Sequence, residues 1–137
     1  MKFFVEGIPK AQPRLRHTKD GRGYTPDDAK GWRELIWIEA RKHRPPEPHL
    51  GPVTLIITFY MPRPKGHFSV KGEIRPKCID ERHTSKPDLD NMEKAVKDEL
   101  ENLGYYRNDS QVYCVQKQKL WAAGAGGMDI DIKLERK

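Results

Sequence analysis

Residues 86–104 read KPDLDNMEKAVKDELENLG. Leu89, Met92, Val96, Leu100 and Leu103 recur there at spacings of 3, 4, 4 and 3, one stripe of an amphipathic helix that Gly104 closes. Upstream, Gly51-Pro52 punctuates the start of VTLIITFYM at 53–61, a β-branched run with the length and composition of a central strand. Downstream, Gln111 to Trp121 and Met128 to Leu134 alternate apolar with polar residues, and the small residues of 122–127 join them as a turn. Lys2 to Ile8, closed by Gly7 and Pro9, reads as a first strand. Thr25-Pro26-Asp27-Asp28 reads as a cap, a first-turn proline and an acid, opening a helix through Trp32, Ile36 and Ala40 to about His43, which Pro45, Pro46 and Pro48 end. The order β-α-β-α-β-β predicts an α+β fold: a single domain over 1–137, with a mixed β-sheet and the helices packed on one face.

The chain has 137 residues, 36% hydrophobic and 34% charged, and a formal charge of +6 with a pI near 9.3. One core of ordinary size fits that length, and the basic balance favours a polyanionic partner, nucleic acid first. The longest apolar stretch is the nine residues of 53–61, against about 20 for a membrane span, so no membrane partner is expected. The opening MKFFVE is no signal-peptide core, and a cytoplasmic location is expected. Cys78 and Cys114 have no Cys-x-x-Cys partner, which argues against zinc-ribbon and thioredoxin-like sites and for two reduced, structurally incidental thiols.

Charge divides unevenly along the chain. Residues 1–87 carry 18 Lys and Arg against 10 Asp and Glu, whereas residues 88–137 carry 8 against 10. The basic excess falls in two segments that carry no periodic pattern. Residues 10–24, with Lys10, Arg14 and Arg16, are expected to form no regular element. Residues 62–87, with Lys71, Arg75, Lys77, Arg82, His83 and Lys86, are expected to form a flexible basic flap.

The carboxylates that stand out beside those segments are Asp88 and Asp90, where the chain passes from Pro87 into the helix, and Asp109 at the start of the next strand. With Lys94 one turn after Asp90, they are expected to converge. Hard divalent cations take oxygen ligands and retain several waters, so two or three carboxylates with a substrate phosphate make a usual Mg²⁺ site. Such an ion neutralises charge at a scissile phosphate, and a lysine adds a donor to its oxygens. The same residues also suit plain structural roles: a capping box of Asp90 with Glu93, an Asp90–Lys94 ion pair, and a turn at Asn108-Asp109. His17, His67 and His83 lack a triad-like context, and Gly124 to Gly127 match no phosphate loop. Tyr105 and Tyr106 are expected to pack beneath the site rather than stack on bases.

Lys86-Pro87-Asp88-Leu89-Asp90-Asn91, Lys94 and Asn108-Asp109-Ser110-Gln111-Val112 together resemble the signature of the RusA family of Holliday junction resolvases, small Mg²⁺-dependent endonucleases often carried by prophages. Gly7-Ile8-Pro9-Lys10-Ala11-Gln12-Pro13-Arg14, the Tyr24-Thr25-Pro26 lead into Trp32, and Gly51-Pro52-Val53 extend the likeness over nearly the whole chain. The resemblance implies that Asp88, Asp90 and Asp109 ligate Mg²⁺, with Mn²⁺ a possible substitute, and that Lys94 assists at the phosphate. It implies a homodimer acting on branched DNA, the four-way junction of recombination and repair, with hydrolysis leaving 5′-phosphate and 3′-hydroxyl ends. Lys10, Arg14, Arg16, Lys71, Arg75, Lys77, Arg82, His83 and Lys86 would hold the DNA backbone. Many relatives carry Asp-Asp where this chain has Asn108-Asp109. The other readings are a less selective metal-dependent nuclease and a non-catalytic basic DNA-binding protein.

Overall fold

Val53–Met61 (β4) lies inside the sheet because it can bury one face completely. Val53, Leu55, Ile57 and Phe59 are at most 1% exposed, while Ile56, Thr58 and Tyr60 between them are half-buried on the other face. Each such side chain removed from water contributes about 1.5–3 kcal/mol. The computed structural model describes residues 1–11, 16–17, 23–24 and 30–136. Four strands, Lys2–Glu6 (β1), β4, Val112–Trp121 (β5) and Gly127–Leu134 (β6), form one sheet in the order β1-β6-β4-β5. The β1–β6 and β6–β4 pairs are antiparallel, and β4–β5 is parallel.

The helices Lys30–Ala40 (α1) and Leu89–Asn102 (α2) cover one face of that sheet. Trp32, Ile36 and Ala40 of α1 and Met92, Val96 and Leu100 of α2 meet the inward residues of β1, β4 and β6 in a single core. The expected mixed sheet with helices on one face is therefore present. The α1 helix ends at Ala40, and Arg41–His43 form a turn rather than its last residues; the expected cap at 25–28 lies outside the described residues. No helix among the described residues is long and apolar enough to cross a membrane.

Two expectations about the basic segments need correction. Within 10–24, Arg16–His17 (β2) and Gly23–Tyr24 (β3) pair as a two-residue antiparallel ladder, while Arg14 lies outside the described residues. The 62–87 segment has defined structure: 3₁₀ turns at Lys65–His67 and Pro76–Cys78, a bridge between Phe68 and Ile74, and a second between Arg82 and Leu120. The amide of Trp121 donates to Glu81 O and that of His83 to Lys119 O, so the flap adds a short stretch of backbone to the edge of β5. Its order rests on these bonds and on Trp121, whose ring meets those of His67 and His83 at 4.7 and 4.4 Å.

The turn between β5 and β6 is wedged at one position. A Cβ on Gly126 would lie 2.8 Å from the carbonyl oxygens of both Gly7 and Tyr60, whereas one on Gly124 would meet nothing within 4 Å. Backbone oxygens cannot move aside as a side-chain tip can. Gly126→Ala is expected to destabilise the protein by about 1–3 kcal/mol, lowering its urea midpoint, with Gly124→Ala close to the wild type. Equal midpoints for the two variants would contradict this wedge.

Candidate active site

Parallel pairing of β4 with β5 determines where the site residues go. Parallel neighbours need a crossover, α2 supplies it, and α2 therefore runs antiparallel to both strands. Its N-terminus, with Asp88 at the cap position and Asp90 in the first turn, lies beside the later part of β5. There Lys117 Nζ stands 2.5 Å from Asp90 Oδ1 and 2.9 Å from Glu93 Oε1. Lys119 Nζ donates to the carbonyls of Ser85 and Pro87, each at 2.7 Å, bracketing the approach to Asp88.

Asp109 goes to the other end. Its amide donates to Glu101 Oε1 at 2.9 Å, which ties it to the last turn of α2. From Asp90 to Glu101 is 11 residues of helix, about 16 Å at 1.5 Å per residue. The expected convergence of three aspartates within one chain is thus absent, and no group of three metal-binding side chains occurs among the described residues. The connection 103–108 stays at that end, with the Tyr105 amide on Leu100 O and the Asp109 amide on Glu101.

Local structure accounts for the Asn in the Asn108-Asp109 pair. Asn108 caps the 3₁₀ turn Asp109–Gln111: its Oδ1 accepts from the Ser110 amide at 2.8 Å while Gln111 Oε1 accepts from the Asn108 amide at 3.1 Å. That capping needs a side-chain oxygen, which Asn and Asp both provide. Beneath this end, Tyr105 and Tyr106 are fully buried as expected, their hydroxyls donating to Ala40 O and Lys97 O. Burial pushes the Tyr105 phenol up to about 12, and burial with the nearby Asp109 carboxylate pushes that of Tyr106 up as well.

At the N-terminal end of α2 the charges are arranged for anions and cations together. Asp90 is 91% exposed, and its hydrogen bond from Lys117 holds its carboxyl below the usual range. Lys119 is lowered by burial, with Asp88 opposing that shift. Lys94 is exposed and pairs with no carboxylate among the described residues, so the structural alternative of an Asp90–Lys94 bridge gives way to Asp90–Lys117. Asp90 does not cap the helix either, because Asp88 holds the cap position. The donors are hard oxygens, and a cationic ammonium already rests on one of them, so a divalent cation fits this end of the helix by donor chemistry.

Of the expected backbone-binding residues, Lys10, Lys71, Arg75, Lys77, Arg82 and Lys86 are exposed. Arg82 is already bound to Asp80 through two hydrogen bonds of 3.0 and 2.8 Å, which with the Arg82 amide hold Asp80 down to about 2. His83 does not lie on the surface: it is 6% exposed against Trp121, with Nδ1 buried and unpartnered, and burial followed by Lys119 lowers its pKa. A phosphate contact from His83 does not fit this placement. Lys117 and Lys119 were overlooked in the sequence. Their signal is their phase, since residues 115, 117, 119 and 121 share the inward side of β5 opposite Leu55, Ile57, Phe59 and Met61.

The family description "Endodeoxyribonuclease RusA" matches residues 5–133 of the chain. A protein of Bacillus subtilis (strain 168) described as "Uncharacterized protein YqaN" is 35% identical over a 133-residue alignment, with 89% of this chain and 88% of that one covered.

Proposed function

The chain belongs to the RusA family of endodeoxyribonucleases, and from that premise we propose that it is a homodimeric, Mg²⁺-dependent nuclease that resolves four-way DNA junctions in recombination and repair, acting in the cytoplasm. The observation that carries the reading is the exposed Asp88 and Asp90 pair at the start of α2, with Lys117 on Asp90, Lys119 on the carbonyls just before Asp88, and Lys86 and Lys94 within four residues of Asp90 along the chain. Carboxylates for a cation stand there within a basic surface for phosphate, as phosphodiester hydrolysis requires.

Asp109 enters this proposal through the second copy. A two-fold dimer is reciprocal, so if the Asp109 end of one copy meets the α2 start of the other, two equivalent sites form at once. Each would hold its ion with Asp88 and Asp90 of one copy and Asp109 of the other. The separation of these residues along α2 supports that arrangement, and a junction with two symmetric strands to cut calls for two sites.

When bound, the cation supplies Lewis-acid charge neutralisation at the phosphate. Lys94, exposed and unpaired with any carboxylate among the described residues, would donate to a phosphate oxygen or to the departing 3′ oxygen. Lys10, Lys71, Arg75, Lys77 and Lys86, with Arg14 and Arg16 of the first basic segment, would hold the backbone without reading sequence, which leaves DNA shape as the determinant of selectivity.

The test is a cleavage assay of the wild type on a mobile four-way junction, a flap and a linear duplex, with Mg²⁺ and with EDTA. Paired symmetric nicks on the junction alone, lost in EDTA, are expected. Equal cutting of all three substrates would make it a less selective nuclease. Tight junction binding with no Mg²⁺-dependent nicking would make it a non-catalytic DNA-binding protein.

A further inference from the structure

Lys117 is built into the protein rather than laid on it. It lies on the inward side of β5, opposite Ile57, and its side chain is 22% exposed. That register turns the stem toward the helix layer, and the ammonium reaches the first turn of α2. There it bridges two carboxylates on neighbouring turns, Asp90 Oδ1 at 2.5 Å and Glu93 Oε1 at 2.9 Å. The second oxygen of Glu93 takes Lys97 Nζ at 3.4 Å. Glu93 is therefore neutralised from two sides and is 17% exposed, whereas Asp90 is 91% exposed and receives Lys117 alone among the described cations.

A lysine that served only to hold α2 against β5 would need just the Glu93 contact, which is the more enclosed of the two. The contact to Asp90 reaches outward, onto the carboxylate that the reading above makes a metal ligand. Resting on that reading, we propose that Lys117 is a built-in counter-ion, a positioning residue that occupies the cation position at Asp90 in the metal-free protein and competes with the divalent ion for that carboxylate. Metal loading is then an exchange of one cation for another. The ammonium keeps Asp90 and Glu93 from repelling each other while the site is unloaded, and its buried stem keeps it beside the site afterwards, retained by Glu93.

Competition has a direction that a structural role lacks. Removing a positive charge that contacts a ligand makes the site more negative and frees a carboxylate oxygen, so divalent affinity rises; removing a mere orienting group lowers it. Lys117→Met keeps the stem and deletes the charge, while Lys117→Arg keeps the charge. In a titration of DNA-free, full-length protein with Mn²⁺, followed by the EPR signal of the free ion, Lys117→Met is expected to bind roughly five- to tenfold more tightly than the wild type, as loss of one partly buried charge contact implies. Lys117→Arg is expected near the wild type, and Asp90→Asn to lose most of the binding. Should Lys117→Met fail to fold, Lys117→Gln carries the same expectation. If Asp90→Asn loses binding but the neutral Lys117 variants bind no more tightly than the wild type, the counter-ion proposal is overturned and the ligand reading stands. If Asp90→Asn binds Mn²⁺ as the wild type does, the ligand reading fails and takes this proposal with it.

Discussion

Asp90→Asn is expected to slow junction cleavage by about 10²–10³-fold while leaving junction binding in Mg²⁺-free buffer intact. The substitution keeps the side chain's size and one oxygen, and removes the charge that Lys117 now shares and that a divalent ion would need. Asp90 is exposed and lies outside the core, so the fold does not depend on it. Loss of a negative charge beside a phosphate-binding surface, if it changes DNA affinity at all, raises it. Single-turnover cleavage of a labelled junction, with a gel-shift titration in EDTA alongside, separates the two quantities. Cleavage at the wild-type rate would remove the metal mechanism altogether.

The second large effect arises from mixing two inactive proteins. Asp90→Asn and Asp109→Asn are each expected to be inactive alone. When the two are co-refolded so that subunits exchange freely, half of the dimers are mixed. In a mixed dimer one site collects both substitutions, and the other receives an intact Asp90 and an intact Asp109. About a quarter of the wild-type nicking is therefore expected to return. Only one site per mixed dimer works, so the returned product is nicked junction, without the paired cuts that resolve it. If Asp88, Asp90 and Asp109 acted together from one chain, every chain in the mixture would carry a lesion and no activity would come back. The absence of nicking in a mixture shown to contain mixed dimers would overturn the shared site.

Most of the fold was legible because burial leaves a period in the sequence. The 3-4-4-3 spacing from Leu89 to Leu103 marks α2, and the alternations in 111–121 and 128–134 mark β5 and β6 within a residue of their observed ends. Strand direction leaves no such mark, because inward residues alternate in the same way in parallel and antiparallel pairs. Parallel β4 and β5 place Asp109 a helix length from Asp90, and that is why the two halves of the candidate site were legible as residues but not as a single place. Lys117 and Lys119 interrupt an apolar phase, and such charges in an inward register signal a partner across the packing. The order of the flap comes from backbone bonds to β5 and from the Trp121 ring, neither of which has a periodic signature.

The seating of residues 81–83 along β5 also bears on how this protein shares a crowded solution with its copies. A bare strand border is a template on which another chain can stack indefinitely. Here the terminal third of β5 has its amides and carbonyls engaged by Glu81 and His83. That cover closes one route to filaments at this end of the strand.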